Sequence, residues 1–115
     1  MRAWSRNWGR RRMNDRLFSA ISLCRKARRL RMGADVVRDN VLSGEAKLVL
    51  LTSDIAERSA RHARGICGPA HVPVRTLPYT MQELAPVAGK HYGVFAVCDR
   101  GFADMILGLL PDGTA

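Results

Sequence analysis

GADVVRDNVLSGEAKLVLLTSD, residues 33–54, is the stretch on which the fold turns. Ala34, Val37 and Val41 recur at helical spacing and Gly44 stands beyond them as a stop, so the spacing predicts a helix over 34–42. KLVLLT follows with no polar alternation, which suits a strand covered on both faces. The helix opens on Gly33, without a Ser, Thr, Asp or Asn cap. Its first N–H groups and partial positive charge are then free to meet phosphate, and glycine lets another backbone approach closely. A plain loop-to-helix junction would show the same spacing. Arg28, Arg29 and Arg31 stand just before Gly33, which predicts a dense positive field at the open end. GxxxxGK[ST] and GxGxxG are both absent, so the pattern reads as a nucleic-acid docking edge more than a nucleotide pocket.

Upstream, residues 1–12 are basic and almost without aliphatic side chains. They read as a disordered arm with Trp4 and Trp8 as stacking groups, or as the product of an upstream start with Met13 the natural one. From Asn14, a good N-cap, Leu17, Ile21 and Cys24 with Ala20 and Ala27 mark an amphipathic helix ending near Ala27. RRLRM reads as a short extended piece. Downstream, Asp54 with Glu57 predicts a capping box for a third helix, with Ile55, Ser59, Ala63 and Ile66 inward. VPVRTL is a second strand whose proline points to an edge or a strand start. Thr80 with Glu83 is another capping box, opening a helix that Pro86 strains and Gly89 ends. VFAVCD is a third apolar strand, and Asp99 caps a last helix with Phe102, Ile106 and Leu109 inward. Helices alternating with short apolar strands predict an α/β fold, a three-layer α/β/α sandwich in a single domain.

The chain of 115 residues carries 19 basic and 10 acidic side chains, a net charge of +9. All the excess lies within residues 1–31, where eleven bases face one acid, Asp15. A surface kept only for solubility would mix both signs, so the asymmetry points to a polyanion, nucleic acid before anionic membrane. No stretch approaches the ~20 apolar residues of a membrane span. Cys24, Cys67 and Cys98 lie far apart with no CxxC pair, which reads as reduced thiols in a cytoplasmic protein. Cys67 and His71 lack the further ligands that zinc needs, and no metal is expected. His62 reads as a surface side chain. Asp54 and Asp99 follow strands, where catalytic acids often sit, but capping already accounts for them.

Four segments carry a family likeness: LCRKARRLRMG, the ungapped residues 33–54, VPVRTL followed by ELAPVAGK, and VFAVCDRGFADMI. In this order and spacing the chain resembles the L-seven-Ae/L-thirty-e superfamily of ribosomal and kink-turn RNA-binding proteins, most closely its YlxQ-like bacterial branch, over about residues 14–110. The resemblance implies a three-layer sandwich around a four-stranded mixed sheet, and a ribosomal-protein-like RNA-binding domain over 13–115. It implies no catalysis and no cofactor. The expected partner is structured RNA, ribosomal or kink-turn, bound by a monomer.

In the family's RNA-binding members an asparagine and a glutamate after the glycine, then a lysine one turn on, read the tandem G·A pairs of a kink-turn. Those positions hold Asp35, Val36 and Asp39 here. Ionised aspartate only accepts hydrogen bonds, valine makes none, and Asp39 sets a negative charge where a cation would meet phosphate. The family's second contact loop falls on Lys90, His91, Tyr92 and Gly93, where His91 and Tyr92 can stack on an extruded base. YlxQ-like chains carry glycine where this one has Arg28. The expectation is that Arg25, Lys26, Arg28, Arg29 and Arg31 position phosphates, that Gly33 approaches the RNA backbone, and that residues 90–92 close the other side. The alternative is a protein-interaction module on the same fold that has lost specific kink-turn recognition, which Val36 and Asp39 favour.

Overall fold

A computed structural model of the chain describes residues 16–110; the basic arm and the Asn14 cap lie outside the described residues. The described chain opens with α1 over 16–26. It continues through β1 Leu30–Met32, α2 Ala34–Leu42, β2 Leu48–Leu51, α3 Glu57–Ala70, β3 Val74–Thr76, α4 Met81–Ala88, β4 Val94–Val97 and α5 Arg100–Leu109. The four strands form one mixed sheet in the order β1-β4-β2-β3. β4 runs antiparallel to both β1 and β2, whereas β2 and β3 are parallel.

The unbroken apolar runs have the predicted cause. On one face Leu48 and Leu50 of β2 and Phe95 and Val97 of β4 pack with Leu17, Ile21 and Cys24 of α1, Leu84 of α4 and Ile106 of α5. On the other, Val49, Leu51, Val94 and Ala96 pack with Val37 and Val41 of α2 and Ala63 and Cys67 of α3. Alternate residues of a strand point to opposite faces. With helices on both sides, every position of β2 and β4 is buried. This is the three-layer sandwich. β3 is an edge strand, as β1 is, and it is entered from Pro73 as its proline indicated.

Helix ends hold one correction. The Asp54–Glu57 capping box does not form: α3 starts from Ala56 with no side-chain cap. Asp54 instead accepts a hydrogen bond from the Met81 N–H at 3.0 Å, across the sheet end, so its carboxylate serves α4. The inner face of α3 is also shifted: Ser59 is exposed and Cys67 is buried, and the helix runs on through Pro69 to Ala70. The Thr80–Glu83 box and the Asp99 cap are both present.

At the end of α1 the Arg28 N–H donates to the Arg25 carbonyl at 3.0 Å and the Arg29 N–H to the Cys24 carbonyl at 2.9 Å. These two bonds are a Schellman motif, which needs a left-handed residue between them. Arg28 fills that place at φ 62. A side chain there costs about 1 kcal/mol relative to glycine. Arg28→Gly is therefore expected to raise Tm by roughly 4–8 °C for a domain of about this size. The Arg28 carbonyl, which accepts from the Arg31 guanidinium, survives the change. An unchanged or lower Tm would show that the turn carries no such cost.

Candidate nucleic-acid interface

Strand directions decide where the site lies. β1, β2 and β3 point the same way, so their carboxyl ends, the starts of α2, α3 and α4, and the entry to β4 share one end of the sheet. Ligand sites of α/β sheets favour this end. The start of α4 is closed by its capping box and by Asp54. The starts of α2 and α3 have no side-chain cap. Two helices thus present unpaired N–H groups and positive dipole ends side by side.

Gly33 sits at φ 99, ψ 146, a conformation that side chains rarely adopt. Its N–H donates to the Val94 carbonyl at 3.0 Å, which ties the α2 start to β4. The Tyr92 ring lies 3.5 Å from the place a Cβ on Gly33 would occupy. A Cβ on Gly93 would come within 3.2 Å of Ile55 Cγ1, which brings the β2–α3 loop against the same surface. The two family contact regions, apart in sequence, are one surface. Asp35, Val36, Asp39, Lys90 and His91 are exposed on it and Tyr92 is half-buried over Gly33. Val36 is 44% exposed, a large apolar side chain open to solvent. Arg38 reaches both Asp35, at 3.9 Å, and Asp39, at 3.5 Å. Ile55 is the contributor that sequence reading assigned to the helix core; only the topology reveals its position beside Gly93.

The dense positive field expected at Gly33 is not found. Asp35, Asp39, Asp54, Glu57 and Glu83 more than offset Arg38, Arg58, Arg61 and Lys90 at this end. The reason is the extended geometry of β1, which advances ~3.3 Å per residue and so carries Arg29 roughly 13 Å from Gly33. The Arg29 carbonyl accepts from the Cys98 N–H at 2.7 Å, at the other end of β4. Arg31 turns back the same way, its Nη1 donating to the Arg28 carbonyl at 2.8 Å. Gly33, Asp35, Val36, Asp39, Lys90, His91 and Tyr92 come together, while Arg25, Lys26, Arg28, Arg29 and Arg31 gather at the opposite end.

Nucleophile chemistry finds no support in the thiols. Burial pushes Cys24 up to about 12, with the neighbouring Cys98 and Asp99 adding to the rise. Burial likewise raises Cys67, and raises Cys98 against the pull of Arg31. Thiols so shifted stay protonated near neutral pH and are poor nucleophiles. Cys98 lies just past β4, half-buried, with its Sγ 3.6 Å from Asn40 Oδ1. Among the described residues no group of three or more His, Cys, Asp and Glu side chains could hold a metal ion. No helix among them is long and apolar enough to cross a membrane.

A groove of about 280 Å³ continues from the edge between α2 and α3, walled by Val37, Val41, Ala63 and Ile66 with Arg38, Arg58 and His62 in its lining.

Comparison with known proteins agrees with this architecture. The model of the ribosomal protein L7Ae/L30e/S12e/Gadd45 family matches residues 15–106. The RNA-binding protein YlxQ of Bacillus subtilis (strain 168) is 34% identical over 98 residues, 81% of this chain and 93% of that protein. A solved structure of a protein with unknown function from Bacillus halodurans C superposes with a TM-score of 0.75 at 31% identity, covering 81% of this chain and 94% of that one. The Giardia lamblia 15.5kD RNA binding protein shares the fold, with a TM-score of 0.68 at 16% identity, covering 85% of this chain and 84% of that one.

Proposed function

The chain belongs to the ribosomal protein L7Ae/L30e/S12e/Gadd45 family, and on that premise we propose that it is an RNA-binding protein without catalytic activity, docking structured RNA at the Gly33–Tyr92 edge. The observation that carries the reading is the uncapped start of α2 lying under Tyr92, in the loop that also bears the exposed Lys90 and His91. Backbone N–H groups at Gly33 and after it would meet phosphate, and Tyr92 and His91 would stack on bases held out of a helix. The RNA is a folded one with extruded bases, as in ribosomal or kink-turn RNA, and the protein acts as a cytoplasmic monomer. Asp35, Val36 and Asp39 leave it weak in discriminating a kink-turn from other bent RNAs.

The test compares an RNA carrying an internal loop with a plain duplex. A stacked base contributes about 1–3 kcal/mol, so Tyr92→Ala is expected to weaken the looped RNA about tenfold and leave the duplex unchanged. Lys90→Ala with His91→Ala, both exposed, should act in the same direction with no change in melting. Equal losses on both RNAs, or none, would remove RNA from this edge. A protein-interaction module then becomes the leading reading, and the exposed Val36 and the apolar groove between α2 and α3 are the features that favour it.

A further inference from the structure

We infer that the opposite end of the sheet is a second, separate RNA surface, one that takes the sugar–phosphate backbone of an RNA duplex. The class of partner rests on the function proposed above; the surface itself is independent of the Gly33 edge.

The register assembles it. Leu30 of β1 and Leu48 of β2 both pair with Val97 of β4. The Lys47 N–H donates to the Val97 carbonyl at 2.8 Å, and the Cys98 N–H to the Arg29 carbonyl at 2.7 Å. The end of α1, the residue before β2 and the start of α5 therefore meet, bringing Arg25, Lys26, Arg28, Arg29, Lys47 and Arg100 to one end. All but Lys47, which is half-buried, are exposed. Ion pairs such as Arg38 with Asp35 and Asp39 and Arg61 with Glu57 lie elsewhere, and among the described residues none of the six is in one. The acids nearby are Glu45, Asp99 and Asp104, fewer than the six cations, and Asp99 is directed to the Phe102 N–H, from which it accepts at 2.9 Å. The charges reach inward: burial raises the Cys98 thiol, Arg31, Lys47 and Arg29 each pull it down, and Glu45 opposes them.

The chemistry favours phosphate. Unpaired like charges repel one another, so the fold alone gives no reason for this grouping. One of the guanidiniums stands at the left-handed turn, φ 62, where glycine would fit without strain. Planar guanidiniums match phosphate oxygens two at a time. The cluster is made of cations, and the large apolar side chain exposed at the same end, Leu42, closes α2 beside it as a lone one where a protein partner would need a packed anchor. Double-stranded RNA is held mainly through its backbone and shape, which asks for cations and no base reading. The two surfaces are roughly 13 Å apart along β1, too far for one phosphate to touch both and close enough for two segments of one folded RNA.

The test uses the full chain and a short blunt RNA duplex in a salt series. Arg25→Ala, Lys26→Ala and Arg29→Ala together spare the Arg28 turn and the Arg31 hydrogen bond. At about 0.7–0.9 in slope per phosphate contact, this triple variant should make the dependence of log K on log salt shallower by about two and weaken the duplex about tenfold or more. Lys47→Ala with Arg100→Ala, on other elements of the same end, should lower the slope by about 1–2. Tyr92→Ala should leave duplex binding unchanged. An unaltered slope in both cation variants overturns the inference, as does polyglutamate displacing the duplex as well as an RNA of equal charge does, the result expected of an acidic protein partner. If the slopes fall but Tyr92→Ala has no effect on looped RNA, only the Gly33 edge is lost. If Tyr92 discriminates while the slopes stand, only this second surface is lost.

Discussion

Gly33→Ala is expected to lower the stability of the fold by about 1–3 kcal/mol, the usual cost of holding a side chain in a sparsely populated backbone region. The cause is conformational and not a clash: the nearest atoms to an added Cβ are those of the Tyr92 ring at 3.5 Å, an ordinary contact. At φ 99, ψ 146 the backbone is open to glycine and strained for alanine. Relief of that strain would require the start of α2 to rotate, pulling the Gly33 N–H from the Val94 carbonyl, 3.0 Å away. A denaturant midpoint that falls with an unchanged m-value is the expected signature. RNA with extruded bases should then bind more weakly even where the variant is fully folded, because the N–H groups proposed to meet phosphate have been re-aimed. A midpoint equal to that of the parent would mean that residue 33 relaxes freely to negative φ and that its glycine has no structural role.

The second large effect is a gain. Restoring the family's base-reading side chains through Asp35→Asn, Val36→Glu and Asp39→Lys should raise preference for a kink-turn over plain duplex at least ~10-fold. One positioned side chain reading a base edge contributes about 1–3 kcal/mol of discrimination, and 1.4 kcal/mol is about a decade. All three positions are exposed, Val36 at 44%, so the helix should accept the change. Arg38 loses two acidic neighbours, at 3.9 and 3.5 Å, in the process. Exposed pairs of this kind contribute little to stability, and the freed guanidinium becomes a further cation at the edge. Competition between a kink-turn and a duplex of equal length is the measurement. A folded triple variant that gains nothing would show that bases are not read at this edge.

The layers were legible because both faces of β2 and β4 are covered, so Leu48 to Leu51 and Val94 to Val97 stand as apolar runs that only a buried sheet explains. α2 was legible to its boundaries because Gly33 and Gly44 both hold positive φ at its ends. Where the reading failed, the deciding contact was distant in sequence. Asp54 and Glu57 have capping-box spacing, yet the Asp54 carboxylate is taken by Met81, 27 residues on. The site divides the same way. The pairing of Gly33 with the loop at Lys90 to Tyr92 followed from family resemblance and not from any local pattern. The arginines of 25–31 were placed beside Gly33 because they adjoin it in sequence, but an extended strand separates its ends more than a helix of equal length does. Three residues of β1 are too few for period or propensity to reveal that separation.

Among the described residues β4 is the last strand in sequence and an interior one in the sheet, paired with β1 and β2 at once. Met32 finds its partner in Phe95, and Leu51 in Val94. Such long-range pairings are slow to form, because the chain must close wide loops before any contact compensates. On the ribosome, with synthesis at about 5–20 residues per second, β1 and β2 emerge seconds before the strand that joins them exists. Each end of the molecule hangs on that strand: Gly33 is held by the Val94 carbonyl, and the turn carrying the arginines by the Cys98 N–H. A nascent chain therefore carries the arginines before β1 first and its shaped surfaces last, and it gains selectivity for RNA only when β4 threads into place between β1 and β2.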